Sequence, residues 1–349
     1  SLWGGVYNVT AFFAGASDDA GVYEYANCIN KAYGEDIDIK TLAADDKGFE
    51  VFKEYAKAIE PPKINSIPIE DGEDNVIPSF RFMGQRFTID EAIFQNLIYS
   101  NIKENPAGER RMLPDALDVP AALSCETAYE ILAEAGDTAY KGYDANLKSM
   151  REKFDNNDPA LWNASLYAGW LNTLRPLLVK KGEGYPSYMT GDAWARKDLE
   201  TFEGSYAELK HDTILYAKQV IAEAGGPDEE EVDDRGYVDP EPVVYSRFAM
   251  LSARTKEGLT ALSMLADEDA ENLDRLVEIS KTLLAISEKE LKNEEPTDAE
   301  YEFIRNYGMY IEHFWYDVNK DNVKGTPLNY SYQPMSGSHS IPLRSSRPG

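Results

Sequence analysis

The chain has 349 residues, 43% of them hydrophobic and 11% aromatic, enough to bury a sizeable core in one large domain or two. Its 62 acidic against 35 basic residues give a formal net charge of −27, which argues against nucleic acid as a partner, because a polyanion is repelled and counterion release needs clustered Lys and Arg. Apolar runs such as residues 119–123 fall far short of a membrane span, so no transmembrane segment is expected.

In chain order, residues 2–14 (LWGGVYNVTAFFA) read as an extended or loop entry. Ser17 then stands as a helix N-cap, with Asp18 and Asp19 favouring the positive end of a helix that runs to Gly34. Asp45 or Asp46 starts another helix, ended by Pro61 and Pro62. Residues 64–87 change character: Ile67, Ile69, Val76, Ile77, Phe80 and Phe82 surround the turn-rich residues 71–75, which predicts a short β-hairpin. Thr88 with Glu91 is a capping box for a helix through Ile98, and Ser124 caps one that ends at Gly136. Between them, Arg110 and Arg111 could hold an anion, but Glu109 and other acidic groups are the nearer partners. Cys28 and Cys125 are too few for a disulfide framework and lack metal-ligand spacing; they read as two buried thiols.

Asp158 and Pro159 form an N-cap and first-turn pair for a helix carrying Trp162, Leu166, Trp170 and Leu174, which Pro176 breaks. Tryptophans at this spacing are first of all core. The glycine- and tyrosine-rich residues 182–191 follow, a composition able to line a pocket. Ser205 with Glu208 is a further capping box, starting a helix that Gly225, Gly226 and Pro227 end. Tyr206, Leu209, Thr213, Tyr216, Ala217 and Val220 make one buried stripe; Ala207, His211, Ile214, Leu215 and Lys218 make an adjoining one, which places this helix inside a bundle. His211 reads as a hydrogen-bonded interior histidine, and with Asp212 it is also the candidate catalytic pair. Glu208 and His211 form the Glu-x-x-His pair that di-iron bundles use twice, but the sequence holds one copy.

Residues 228–234 (DEEEVDD) are a solvated connector, and residues 273–291 a long amphipathic helix. Thr297 with Glu300 caps a last helix through Trp315. Asp317, Asn319 and Asp321 then begin like a calcium loop and supply the candidate metal ligands, calcium being the one cofactor in view. The pattern fails further on, with Asn322 at the turn glycine and Leu328 at the bidentate glutamate. No phosphate-cradling glycine loop, His-Glu-x-x-His, paired Cys-x-x-Cys or G-x-S-x-G motif occurs. The expected architecture is all-α and bundle-like with one minor β-hairpin, a single helical domain over residues 1–316 with the hairpin-like insertion at 64–87, and an irregular tail at 317–349.

Six blocks carry a resemblance: FRFMGQRFT (80–88), LPDALDVPAALS (113–124), GYPSYM (184–189), YAELKHDTILYAKQ (206–219), GYVDPEP (236–242) and EYEFIRNYG (300–308). In this order they resemble the domain of unknown function 3160 family over most of residues 10–315. The resemblance implies a secreted or surface-anchored protein of bacteria or archaea, often a lipoprotein, and so an extracellular or cell-surface location. It implies no activity. It also implies a further helical half ahead of Ser1, so that the chain would be the later half of a typical member and the missing N-terminal half of the precursor its suggested partner. Tyr185, Tyr188, Trp194, Arg81 and Arg86 make up the candidate ligand-binding set. The functional expectation is an extracytoplasmic binding or scaffold module; the alternative is a helical hydrolase or lyase acting on extracellular polysaccharide or peptide.

Overall fold

The computed structural model describes residues 2–35, 38–42, 45–64, 80–99, 101–213 and 236–319. It is mostly helical, with no strand among the described residues, and the chain divides into two compact units, Ser1–Tyr216 and Ala217–Gly349. In the first lie α1 (Leu2–Ala14), α2 (Val22–Tyr33), α3 (Ile39–Leu42), α4 (Asp46–Lys57), α5 (Ile89–Asn96), α6 (Asp118–Ala122), α7 (Glu126–Ala135), α8 (Tyr143–Phe154), α9 (Pro159–Trp162), α10 (Leu166–Leu174) and α11 (Asp192–Thr213).

Residues 2–14 are helical, against the expectation of a loop. The segment carries no charge, and its helical spacing puts Trp3 and Tyr7 on one face, where tertiary packing outweighs the poor helix propensity of its two glycines. Ser17 caps nothing. Its N–H donates to the Tyr7 hydroxyl at 3.1 Å, and α2 begins at Val22 instead, with the Gly21 N–H held by Glu24 Oε2 at 2.8 Å.

The β-hairpin is not seen. Residues 65–79 of that stretch lie outside the described residues, and the described residues 80–87 bond elsewhere: Arg81 N donates to Ala20 O at 2.9 Å, Phe87 N to Ala16 O at 3.0 Å, and Asp18 N to Gln85 O at 2.8 Å. The segment is thus a strap laid along residues 16–20, with a single antiparallel bridge between Ser17 and Arg86. Gly84 permits this approach, since a Cβ there would run into Ser17 Oγ and Asp19 Cβ.

The core of this unit is made by α5 to α11. Ile89, Ile93 and Leu97 form a buried seam along α5, and Val119, Leu132, Phe154 and Leu171 are fully enclosed. Trp162 is buried, as its spacing predicts, but the helix expected from Asp158 is two. Asp158 caps α9, and Ser165 accepts from Ala168 N at 3.1 Å to start α10 afresh. Helix α11 likewise starts at Asp192, so Ser205 sits in mid-helix, where its hydroxyl accepts from Trp170 Nε1 at 3.0 Å instead of capping. Cys28 and Cys125 are both free and buried.

The second unit holds α12 (Pro242–Ala261), α13 (Asp267–Leu291) and α14 (Asp298–Asn319). Val238, Ile279, Leu283 and Ile286 form its core, covered by Tyr245, Phe303, Ile304 and Tyr310. The capping box at its last helix is present as predicted: Thr297 N donates to Glu300 Oε2 at 2.7 Å and Glu300 N to Thr297 Oγ1 at 3.3 Å. Lys289 of α13 reaches the same carboxylate at 2.6 Å, joining the two helices. Among the described residues no helix is long and apolar enough to cross a membrane.

Candidate functional site

Helix α1 places Trp3 and Tyr7 one turn apart, and their rings stack with centroids 4.8 Å apart. Tyr23 of α2 meets them edge-on at 5.2 and 5.7 Å, and Phe82 of the strap tilts onto Trp3 at 6.0 Å. The indole N–H also donates to the Phe82 carbonyl at 2.8 Å, which pins the strap to α1. Around these rings runs a shallow surface crevice that encloses no cavity of its own, with Ser17, Glu24 and Arg81 among its lining. Although aromatic rings gain most from burial, Tyr23 is 53% and Phe82 60% exposed. Behind the crevice, the Arg86 guanidinium lies 4.6 Å from the centre of the Tyr7 ring and donates to Thr10 Oγ1 at 2.5 Å. The Arg81 side chain has no partner among the described residues.

A second constellation is closed. Asp90, fully buried on α5, accepts at one oxygen from Tyr167 of α10 at 2.8 Å and from Tyr206 and Lys210 of α11 at 2.7 and 2.9 Å. Lys210 reaches Glu91 at 2.9 Å as well. Burial works to raise the Asp90 carboxyl, but the Lys210 ammonium and the hydrogen bonds outweigh it and hold the group below the usual carboxylate range. Both tyrosines are driven far up by burial and by the Asp90 charge, so they keep their protons and act as donors. This arrangement ties α5, α10 and α11 together.

The paired arginines meet carboxylates, as the acidity of the chain predicts. Arg111 grips Asp118 at 2.6 and 3.1 Å and Asp137 at 2.7 Å, with the Tyr143 hydroxyl also on Asp118 at 2.7 Å. Arg110 pairs with Glu104 at 3.4 Å. On α11, the Glu203 carboxyl is pushed up to about 7 by burial and by the charge of Asp115, and its Oε1 is buried without a partner.

The residues singled out in the sequence scatter. Arg81 and Arg86 fall at the crevice. Tyr188 and Trp194 meet edge-on at 5.2 Å with Lys197 over the indole at 4.1 Å, while Tyr185 lies under Lys181 at 5.8 Å. His211 is exposed on α11, not interior, because the buried seam of that helix follows Asp198, Phe202, Tyr206 and Leu209, and positions 207 and 211 turn away from it. The Asp212 side chain lies outside the described residues, as does Asp321; Asp317 and Asn319 fall on the last turn of α14. Among the described residues no group of three or more His, Cys, Asp or Glu is placed to hold a metal ion. The aromatic crevice was missed because residues 2–14 read as a loop; the i, i+4 pair Trp3 and Tyr7 was its one signal.

Compared with known protein families, the chain matches the family described as Protein of unknown function (DUF3160) over residues 1–331. The match spans nearly the whole chain, which does not support the expectation that only the later half of a member is present. No curated protein and no solved structure matches it.

Proposed function

The chain belongs to the DUF3160 family, and we propose that it serves as an extracytoplasmic binding module whose crevice seats a sugar ring. One observation carries this reading: Tyr23 and Phe82 keep more than half their surface in water beside a donor, Arg81, and an acceptor, Glu24. Exposed aromatic faces flanked by both kinds of polar group suit a pyranose, whose C–H face stacks while its hydroxyls bond at the edge. The location outside the cytoplasm rests on the family resemblance. Calorimetric titration of the whole chain with a panel of neutral and acidic oligosaccharides tests the site. Phe82→Ala and Tyr23→Ala should each weaken binding about tenfold, since both rings contribute stacking and buried area. Tyr188→Ala should leave it unchanged. An unaffected Phe82→Ala, or a loss on Tyr188→Ala, would move the site to the Tyr188 and Trp194 pair or remove it.

The second reading, a hydrolase acting on extracellular polysaccharide or peptide, draws on Glu203. A carboxyl pushed up to about 7 beside Asp115 has the proton affinity of a general acid. Turnover of an oligosaccharide or peptide that Glu203→Gln abolishes would favour it over the binding module.

A further inference from the structure

We infer that the crevice selects rings bearing a carboxylate, sugar acids over neutral sugars, and that Arg81 receives the carboxylate. This rests on the proposal that the crevice binds sugars. In a chain with 62 acidic and 35 basic residues, a guanidinium readily finds a carboxylate, yet among the described residues Arg81, like Arg86 and Arg196, has none. Arg111, Arg151 and Arg175 find theirs at 2.6, 2.8 and 3.0 Å, and Arg110 finds Glu104 at 3.4 Å. Arg81 is held differently. Its own N–H is fixed to Ala20 O at 2.9 Å and the next carbonyl to the Trp3 indole at 2.8 Å, so the backbone is pinned on both sides at the crevice. Its side chain is exposed and has no partner among the described residues.

Among the described residues, the carboxylates of this region are engaged by backbone N–H groups and make no ion pair with Arg81. Asp18 Oδ2 receives Ile64 N at 2.6 Å, Asp19 Oδ2 receives Gln85 N at 3.2 Å, and Glu24 Oε2 receives Gly21 N at 2.8 Å. Their charge still opposes an anion, and the Arg86 guanidinium against Tyr7 offsets part of it. A guanidinium presents parallel N–H groups that match the two oxygens of a carboxylate, whereas a neutral hydroxyl takes one such bond without the charge. The aromatic rings fix the ring of the ligand, and Arg81 fixes which ring.

The test is calorimetry on the full chain at low salt with two probes of equal length, an oligogalacturonate and a neutral oligogalactose. The acidic probe should bind about tenfold more tightly, as one charge-assisted pair provides. Arg81→Gln should erase that preference, bringing the affinity for the acidic probe down to that for the neutral one. Arg196→Gln, at an exposed arginine on α11, should preserve it. Equal affinity for the two probes in the native chain, or a preference that survives Arg81→Gln, would overturn this inference and leave the sugar site standing. Binding of neither probe would remove both.

Discussion

Within the first unit, two regions treat their costly groups in opposite ways. Around Asp90 and Asp118 the chain buries charge and engages it: Asp118 takes both prongs of Arg111 and the Tyr143 hydroxyl, and Asp90 takes three donors at one oxygen. Around Trp3 it does the reverse, leaving Tyr23, Phe80, Phe82 and Met83 between 43% and 60% exposed. Desolvating an ion costs several kcal/mol and is recovered only through good geometry, so the first region acts as scaffold. Apolar rings left in water forgo about 25 cal/mol for each Å² not buried, a cost that a ligand can recover. A buried ionic cluster is therefore the poorer guide to function in this molecule, and the exposed rings the better one.

The largest effect should come from breaking the scaffold. Asp118→Ala strips Arg111 of its bidentate partner while leaving Asp137 as its only carboxylate, and it leaves the Tyr143 hydroxyl unsatisfied. The expected loss is about 3 to 5 kcal/mol in urea denaturation, the usual result of leaving a buried charge without its main partner. A loss below about 1 kcal/mol would mean that water reaches Arg111 and would erase the contrast between the two regions.

A smaller effect, of opposite sign, is expected at Glu203, whose Oε1, like Asp90 Oδ1, is buried without a partner and which no cation engages among the described residues. Its carboxyl is pushed up to about 7 in the fold from an ordinary value of 4.5, so the folded chain holds the proton more tightly than the unfolded one. Stability then falls as pH rises from about 4.5 to 7 and stays lowered above, while below about 4.5 both states are protonated and no difference remains. Glu203→Gln should stabilise by roughly 1 to 2 kcal/mol at pH 8, discounted for partial exposure, and by nothing at pH 4. A variant whose stability tracks the native chain across this range would show that the carboxyl is better solvated than its burial suggests.

How much of this was legible in the sequence follows from range. Several local signals held, since the Thr297 and Glu300 box, the Asp45 and Asp158 caps and the burial of Trp162 depend on residues a few positions apart. The caps read at Ser17, Thr88 and Ser124 did not, for Ser17 caps nothing, Thr88 makes no side-chain cap bond and α7 starts from Cys125. The Ser205 box failed because a serine three residues before a glutamate is equally at home inside a helix, and the signal could not reveal that α11 had already begun at Asp192. Long-range partners left no mark. Nothing in the spacing brings Asp90 to Lys210, or residues 80–87 to residues 16–20 in place of a hairpin. Of the site, Arg81 and Arg86 stood in the candidate ligand-binding set; the rings were lost with α1.

The smallest effect is expected one residue from Lys210, at His211. Helical geometry turns successive side chains by about 100°, so Lys210 points into the Asp90 network while His211 is exposed to water. An exposed group makes its contacts in competition with solvent, so little net stability rests on them. His211→Ala should therefore shift stability by no more than about 0.5 kcal/mol, within the usual range for surface positions, and should leave the affinity of the crevice unchanged. This reverses the expectation drawn from sequence, where an interior histidine would have cost about 1 to 3 kcal/mol. If urea denaturation finds a loss of that size, the imidazole supports Lys210 in holding Asp90, and the closed network extends to the surface of α11. If instead stability holds but turnover of an oligosaccharide or peptide disappears, His211 belongs to a reacting site, and the exposed rings at Trp3 lose their place as the functional half of the comparison.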